Sequence, residues 1–124
     1  MGDLSVSVDR SCVEDTLTEH FENVRRYEYS SDGSNEYPSG TRVDQFYYGD
    51  LGYTGDLRIQ IGDVRGKSRV THDFTSIGSK IPQEAFPPAV QQMQRANGML
   101  LLKCGLDMRP YQMKAIGQEV EAIK

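Results

Sequence analysis

The sequence predicts an α+β fold, a two-layer sandwich in which three helices pack on one face of a mainly antiparallel sheet of five to six strands. Strand-like segments follow one another between residues 26 and 74 with short connections, which favours an antiparallel meander. Helical patterns lie before and after this region, so the crossover helices that a parallel sheet needs are missing. At 124 residues, the chain is expected to form one domain, residues 1–124.

The amino-terminal part predicts a short strand and then an amphipathic helix. Leu4, Val6 and Val8 alternate with serines, which is the period of a half-buried strand. Ser11 and Glu14 form a capping box that predicts the start of a helix. The apolar residues that follow at helical spacing are Val13, Leu17, Phe21 and Val24. Carboxylates fill the remaining arc, so we expect one side of this helix to be acidic and exposed to solvent.

Four strands are predicted in the middle of the chain, over residues 26–30, 41–48, 57–61 and 67–74. Between the first two, residues 31–40 have the Gly, Ser, Asp and Asn content of a loop, which we expect to be the least ordered part of the chain. Residues 62–66 are predicted to turn the last two strands into an antiparallel pair.

The carboxyl-terminal third predicts a helix, a buried strand and a further helix. Prolines 87 and 88 favour a helix start near Pro88, and Gly98 is predicted as its C-cap. Residues 98–105 are apolar on both alternating sets of side chains, which predicts a central strand covered on both faces. A last helix is predicted after Asp107, with an apolar stripe of Met113, Ile116, Val120 and Ile123.

Cys12 and Cys104 are predicted to be free thiols in a cytoplasmic protein. Two cysteines are too few for a disulfide scaffold, and the amino terminus lacks the pattern of a secretory signal. Neither cysteine belongs to a CxxC or Cys/His cluster, so no metal site and no cofactor is expected. No apolar run approaches the roughly 18 residues of a membrane span, so no membrane partner is expected.

Tyrosines and carboxylates are concentrated in one stretch. Six of the seven tyrosines fall between residues 27 and 53, and residues 31–56 carry five carboxylates against Arg42 alone. Tyrosine offers a large contact area at a low cost in rotamer entropy, and small polar residues adapt around it. Tyr37 and Tyr53 lie in predicted loops, where strand propensity does not explain them. The predicted partner-binding residues are Tyr37, Asp44, Tyr47, Tyr48, Asp50, Tyr53 and Asp56.

The sequence therefore favours a non-catalytic binding module that covers a basic site on another protein, in the manner of an inhibitor or an immunity-type protein. Residues 1–62 have a formal charge of −7, against −4 for the whole chain. Such a surface attracts a basic partner and repels nucleic acid. The analogy with immunity proteins is one of composition only.

The first alternative is a small site for an anionic ligand, or a modest enzyme. Its anion-binding residues would be Arg58, Arg65, Lys67 and Arg69, with His72 beside them. Gly66-Lys67-Ser68 resembles the end of a phosphate-binding P-loop, but position 61 is Ile where that motif needs glycine. A solvent-exposed hairpin protected by basic residues, and a partly buried histidine held by a hydrogen bond, explain the same residues.

The second alternative is a subunit that buries the edge of its sheet in a homodimer. Antiparallel sheets end in strands with unpaired backbone groups, which can pair with a second copy. The order of the strands, and hence the identity of the edge, does not follow from the sequence.

Overall fold

The computed structural model of the chain describes residues 2–3, 8–34, 37–49, 55–76 and 86–107. In chain order its elements are β1 (Gly2–Asp3), α1 (Arg10–His20), β2 (Arg25–Ser30), β3 (Arg42–Tyr48), β4 (Gly55–Val64), β5 (Lys67–Ser76) and α2 (Phe86–Cys104). The strands form one antiparallel sheet in the spatial order β1-β5-β4-β3-β2. The α+β class and the antiparallel meander are confirmed.

The described residues contain fewer elements than predicted. Four strands of six to ten residues make up the sheet, and β1 adds only two residues at one edge. Two helices are described rather than three, since the predicted last helix falls on residues 108–124, outside the described residues. Most of the strand predicted over residues 4–8 also lies outside them.

Strands β4 and β5 form a hairpin with a two-residue turn. The register pairs Val64 with Lys67, so only Arg65 and Gly66 lie between the strands. Both turn residues have positive φ angles, 55° and 80°, as a type I′ turn requires. The turn is therefore shorter than residues 62–66, and a strand rather than a helix follows it, which excludes a P-loop.

Ser31 and Tyr37 anchor the loop between β2 and β3 to the sheet. Gly40 has a φ of +88°, and its N–H donates to Ser31 O while Ser31 N–H donates to Thr41 O, as in a β-bulge with glycine in the left-handed position. The Tyr37 ring lies on Gly62 of β4, where a Cβ atom would come within 2.7 Å of it. Hydrogen bonds from Ser31 Oγ to Tyr37 O and from Tyr37 Oη to Arg69 O hold the loop on the sheet.

Helix α1 begins earlier than predicted. Asp9, not Ser11, is the N-cap, because its carboxylate accepts the N–H groups of Ser11 and Cys12. Val13 and Leu17 are fully buried, as their spacing predicts, and Phe21 packs against the core from just beyond the helix.

The prediction of a buried central strand over residues 98–105 is wrong, because these residues continue α2. The helix buries Ala89, Met93, Ala96 and Leu100, which recur at helical spacing. Leu102 is 76% exposed, so the apolar run is not covered on both sides. The helix ends at Cys104, and the glycine that terminates it is Gly105 rather than Gly98, since Gly105 has a φ of +65° and its N–H donates to Leu101 O.

The prediction of two free thiols is also wrong. Cys12 of α1 and Cys104 at the end of α2 form a disulfide, with 5.9 Å between their Cα atoms. Cys104 was predicted to lie on a strand beneath the helices, but it lies at the end of α2, beside α1. Cysteine usage therefore no longer supports a reducing compartment.

Candidate functional site

The surface with the richest contact chemistry is the face of the sheet that lies opposite the helices. Both helices pack in a single core with Phe46, Leu57, Ile59 and the other strand residues whose side chains lie on the same side of the sheet. The intervening residues of each strand point to the other side of the sheet. We call this side the outer face; its residues are Arg25, Tyr27, Tyr29, Val43, Gln45, Tyr47, Arg58, Gln60, Gly62, Arg69, Thr71 and Asp73.

One cross-strand row of the outer face is held by an ion pair. Arg58 of β4 lies opposite Asp73 of β5, with Nε–Oδ1 and Nη2–Oδ2 distances of 3.0 and 2.6 Å. Burial alone would lower the pKa of Arg58, but the hydrogen bond and charge of Asp73, together with Tyr47, raise it above its ordinary value. On β2, Arg25 Cζ lies 5.3 Å from the ring centroid of Tyr47. The side chains of this row are therefore held in place by contacts with one another.

A second row joins aromatic rings to side-chain amides. Tyr27 and Tyr47 meet edge to face, with 5.7 Å between ring centroids. Gln60 Oε1 accepts hydrogen bonds from Gln45 Nε2 at 3.0 Å and from Tyr29 Oη at 3.2 Å. Tyr27 remains 52% exposed. Three tyrosines from two adjacent strands are thus oriented on a rigid sheet.

The structure separates the seven predicted partner-binding residues. Tyr47 lies on the outer face and is half-buried. Asp56 is opposite Thr75 in the β4–β5 register, and Asp50 and Tyr53 lie outside the described residues.

Three of the seven residues are structural in this conformation. Tyr37 and Tyr48 are buried, and Asp44 is 5% exposed because Arg10 and Arg26 lie against it. Their side chains offer no surface to a partner, so a direct contact role for them is not supported. Tyrosine and aspartate also occur in protein interiors, where their oxygens make hydrogen bonds to other buried groups. Composition alone therefore did not distinguish these three buried residues from exposed ones.

His72 belongs to a buried polar triad. His72 Nδ1 lies 3.1 Å from Asn97 Oδ1, and Nε2 lies 2.5 Å from Tyr48 Oη. Because Asn97 Oδ1 only accepts, Nδ1 carries the proton and Nε2 accepts from the tyrosine hydroxyl. Burial lowers the pKa of His72 to about 4, although the Asn97 hydrogen bond opposes the shift. The imidazole is neutral and 2% exposed, so it is structural, as the simpler interpretation predicted.

The residues of the predicted anion site are not brought together. Arg58 is occupied by Asp73, and Arg65 and Lys67 are exposed at the hairpin turn. Arg69 lies on the outer face, whereas His72 lies in the core on the opposite side of β5. No convergent geometry therefore supports anion binding or acid–base chemistry by this set.

Sequence reasoning missed a charged cavity of about 730 Å³ at one end of the sheet. Arg10 and Arg26 line it and both contact Asp44, with N–O distances of 3.1 and 3.4 Å. Arg10 Nη2 also lies 3.2 Å from Asp63 Oδ1. Carboxylates thus neutralise most of its cationic lining. Its lining comes from four separate segments of the chain, so no local pattern signalled the cavity.

Neither a metal cluster nor a membrane helix is seen where the chain is described. Across those residues, three or more His, Cys, Asp or Glu side chains nowhere come together as a metal would need. Neither described helix has the combination of length and apolar character that crossing a bilayer requires.

No known protein-family model matches the chain, and neither a curated protein nor a solved structure is significantly similar to it. The functional argument therefore rests on the residues and their geometry.

Proposed function

We propose that the protein is a non-catalytic binding module of the inhibitor or immunity type, which contacts a partner protein through its outer face. The observation that carries this proposal is the array of Tyr27, Tyr29 and Tyr47 on a face that neither described helix covers. Aromatic side chains on a sheet that is already ordered lose little entropy on binding, so more of their contact energy contributes to affinity.

The proposed partner has a basic surface, because the chain has a formal charge of −4 and residues 1–62 have a formal charge of −7. The exposed carboxylates of the described amino-terminal half include Asp15, Glu19, Glu22, Glu28 and Asp32. The outer face itself carries Arg25, Arg58 and Arg69 against Asp73, which pairs with Arg58, so the acidic field comes from carboxylates outside that face. A field of this sign raises the association rate with a basic protein and weakens as salt is added. Asp50, Tyr53 and Asp56 remain part of the proposed contact surface.

The test is capture of a partner from an extract of the native cell on the immobilised full chain. We expect a basic protein that is retained by wild type, is lost on Tyr47→Ala and is kept by the control Gln91→Ala, which changes an exposed residue on α2. A captured protein that Tyr47→Ala retains, or one with an acidic surface, contradicts the proposal.

Kinetics on the purified pair sharpen the test. Asp32→Asn should slow association and flatten its salt dependence, whereas Tyr47→Ala should speed dissociation at a cost of roughly 1 to 3 kcal/mol. If both variants bind as wild type does while Arg65→Ala or Lys67→Ala abolishes binding, the working surface is the basic hairpin instead.

A further inference from the structure

Strand β2 (Arg25–Ser30) is an edge of the sheet, and β3 is the strand with which it is paired. Ser31 N–H donates to Thr41 O in the pair that continues the β2–β3 register, so the odd residues of β2 exchange backbone hydrogen bonds with β3. The backbone groups of Arg26, Glu28 and Ser30 therefore point away from the sheet. Across the part of the chain that the structure describes, no strand pairs with them.

Successive side chains along this edge lie on opposite faces of the sheet. Arg26 and Glu28 lie on the helix side, with 3.9 Å between Arg26 Nη2 and Glu28 Oε1. Arg25, Tyr27 and Tyr29 lie on the outer face. Edge strands usually carry charges that discourage pairing. The same charges favour pairing when one register places opposite signs against each other.

Two copies of β2 can pair antiparallel about a two-fold axis only if outward-pointing residues meet outward-pointing residues. An axis at Arg26 or at Glu28 would place that residue opposite its own copy, so like charges would meet. An axis at Tyr29 would pair only residues 28–30 of the strand.

An axis at Tyr27 places Arg26 opposite the partner's Glu28 and overlaps five residues of each strand. On the outer face, the same register sets Tyr27 beside the partner's Tyr27 and Arg25 beside the partner's Tyr29, which suits ring stacking and cation–π contact.

We propose that two copies of this chain form a homodimer by antiparallel pairing of β2 with the partner's β2, with the two-fold axis at Tyr27. The pairing adds about four backbone hydrogen bonds and places Arg26 opposite the partner's Glu28 at two positions. Within the chain, Arg26 also contacts Glu14 and Asp44, and Glu28 also pairs with Arg42. Both sheets become one, with the helices of both copies on one side and both outer faces on the other. The proposal stands on the edge geometry and does not depend on the proposed partner.

The register is tested by disulfide trapping in the full chain, with the native Cys12–Cys104 disulfide left intact. Directly opposed residues of a non-hydrogen-bonded pair have Cα atoms about 4.5 Å apart, which is within disulfide reach. Tyr27→Cys should therefore form a covalent dimer under mild oxidation. Tyr29→Cys is the matched control, since the two copies of residue 29 would lie about 13 Å apart. Peptide mapping identifies the bridging cysteines.

The association itself is measured by sedimentation equilibrium of wild type, Glu28→Lys and Glu19→Lys. Glu28→Lys places like charges opposite each other and should weaken dimerisation at least about tenfold, whereas Glu19→Lys, an equal charge change on exposed α1, should not. A monomeric wild type at about 100 µM, well above a micromolar Kd, overturns the proposal. Efficient trapping through residue 29 but not residue 27, or equal weakening by both lysine variants, overturns the proposed register.

Discussion

The two faces of the sheet are built from alternate residues of the same strands, yet they differ in almost every property. Phe46 and Tyr47 are neighbours on β3, and the Phe46 ring is fully buried beneath the helices. The Tyr47 ring is half-buried on the outer face, between Arg25 and Tyr27. A period of two thus divides each strand into one set of residues that packs beneath the helices and another set on the outer face, where Tyr27 and Tyr47 keep exposed area.

The comparison shows why aromatic content alone does not identify a binding surface. Tyr48 follows Tyr47 directly, but its hydroxyl donates to His72 inside the core. Burial, and less strongly the charge of Asp73, raise the pKa of this hydroxyl well above its usual value, so it stays a donor. Tyr48 on the helix face is part of the packing, whereas Tyr27 and Tyr47 on the outer face keep exposed area. Substitutions on the two faces should therefore have different consequences.

The largest expected difference between the faces is that between Phe46→Ala and Tyr47→Ala. Removing a fully buried aromatic ring leaves a cavity and should lower the free energy of unfolding by about 3 to 5 kcal/mol. Tyr47→Ala should cost at most about half of that, because part of its ring is already in contact with water. Urea denaturation of both variants measures the difference. Equal losses would show that the outer face is as much a core as the helix face.

The next effect concerns the disulfide, which joins the helices on one face. Replacing both Cys12 and Cys104 with serine should lower the free energy of unfolding by about 2 to 4 kcal/mol, since the bond closes a loop with a sequence separation of 92. Titration of the unfolded wild type without reductant should detect no free thiol. Two free thiols per chain would contradict the disulfide.

A smaller effect depends on pH and belongs to the helix face alone. His72 has a folded-state pKa of about 4, against an ordinary value of 6.5, so the unfolded chain takes up a proton first as the pH falls. The stability from neutral His72 is present above about pH 6.5 and is lost progressively toward pH 4. Between pH 7 and pH 5, wild type should lose about 2 kcal/mol more than His72→Gln. Urea denaturation at the two pH values tests this, and parallel losses would refute it.

The fold class follows from the sequence because the strand patterns and turn residues act locally. Val13 and Leu17 mark the buried side of α1, and Gly66 marks the tight hairpin. The second helix was cut short because an apolar run such as residues 98–105 suits either a buried strand or a helix. Only the helical spacing that continues from Met93 to Leu100 distinguishes the two. Gly98 lies within this spacing and was predicted as the helix end.

The candidate site was predictable only in part, because burial depends on contacts between distant segments. Of the predicted tyrosines, Tyr47 lies on the outer face, but nothing local shows that Tyr37 covers Gly62 on another strand. Asp44 is buried by Arg10 and Arg26, which come from two other elements. Tyr27 and Tyr29 were interpreted from the sequence as strand formers, and it is the register with β3 that places them beside Tyr47 and Gln45.

The smallest expected effect on stability is that of Tyr27→Ala, and it sharpens the comparison most. The ring is 52% exposed and lies on an edge strand, so the free energy of unfolding should fall by only about 1 kcal/mol, mainly through loss of the edge-to-face contact with Tyr47. If the outer face is a contact surface, the same substitution should weaken binding of the captured partner by about 1 to 3 kcal/mol.

Because Tyr27 also lies on the proposed dimer axis, Glu28→Lys serves as the control, since it should separate the copies and leave the rings of the outer face in place. Loss of partner binding in Tyr27→Ala but not in Glu28→Lys assigns the tyrosine to the partner. Loss in both, but not in Glu19→Lys, which changes the charge equally, shows that the partner binds only the dimer. A large loss of stability in Tyr27→Ala, with partner binding unchanged, would end the distinction between the two faces.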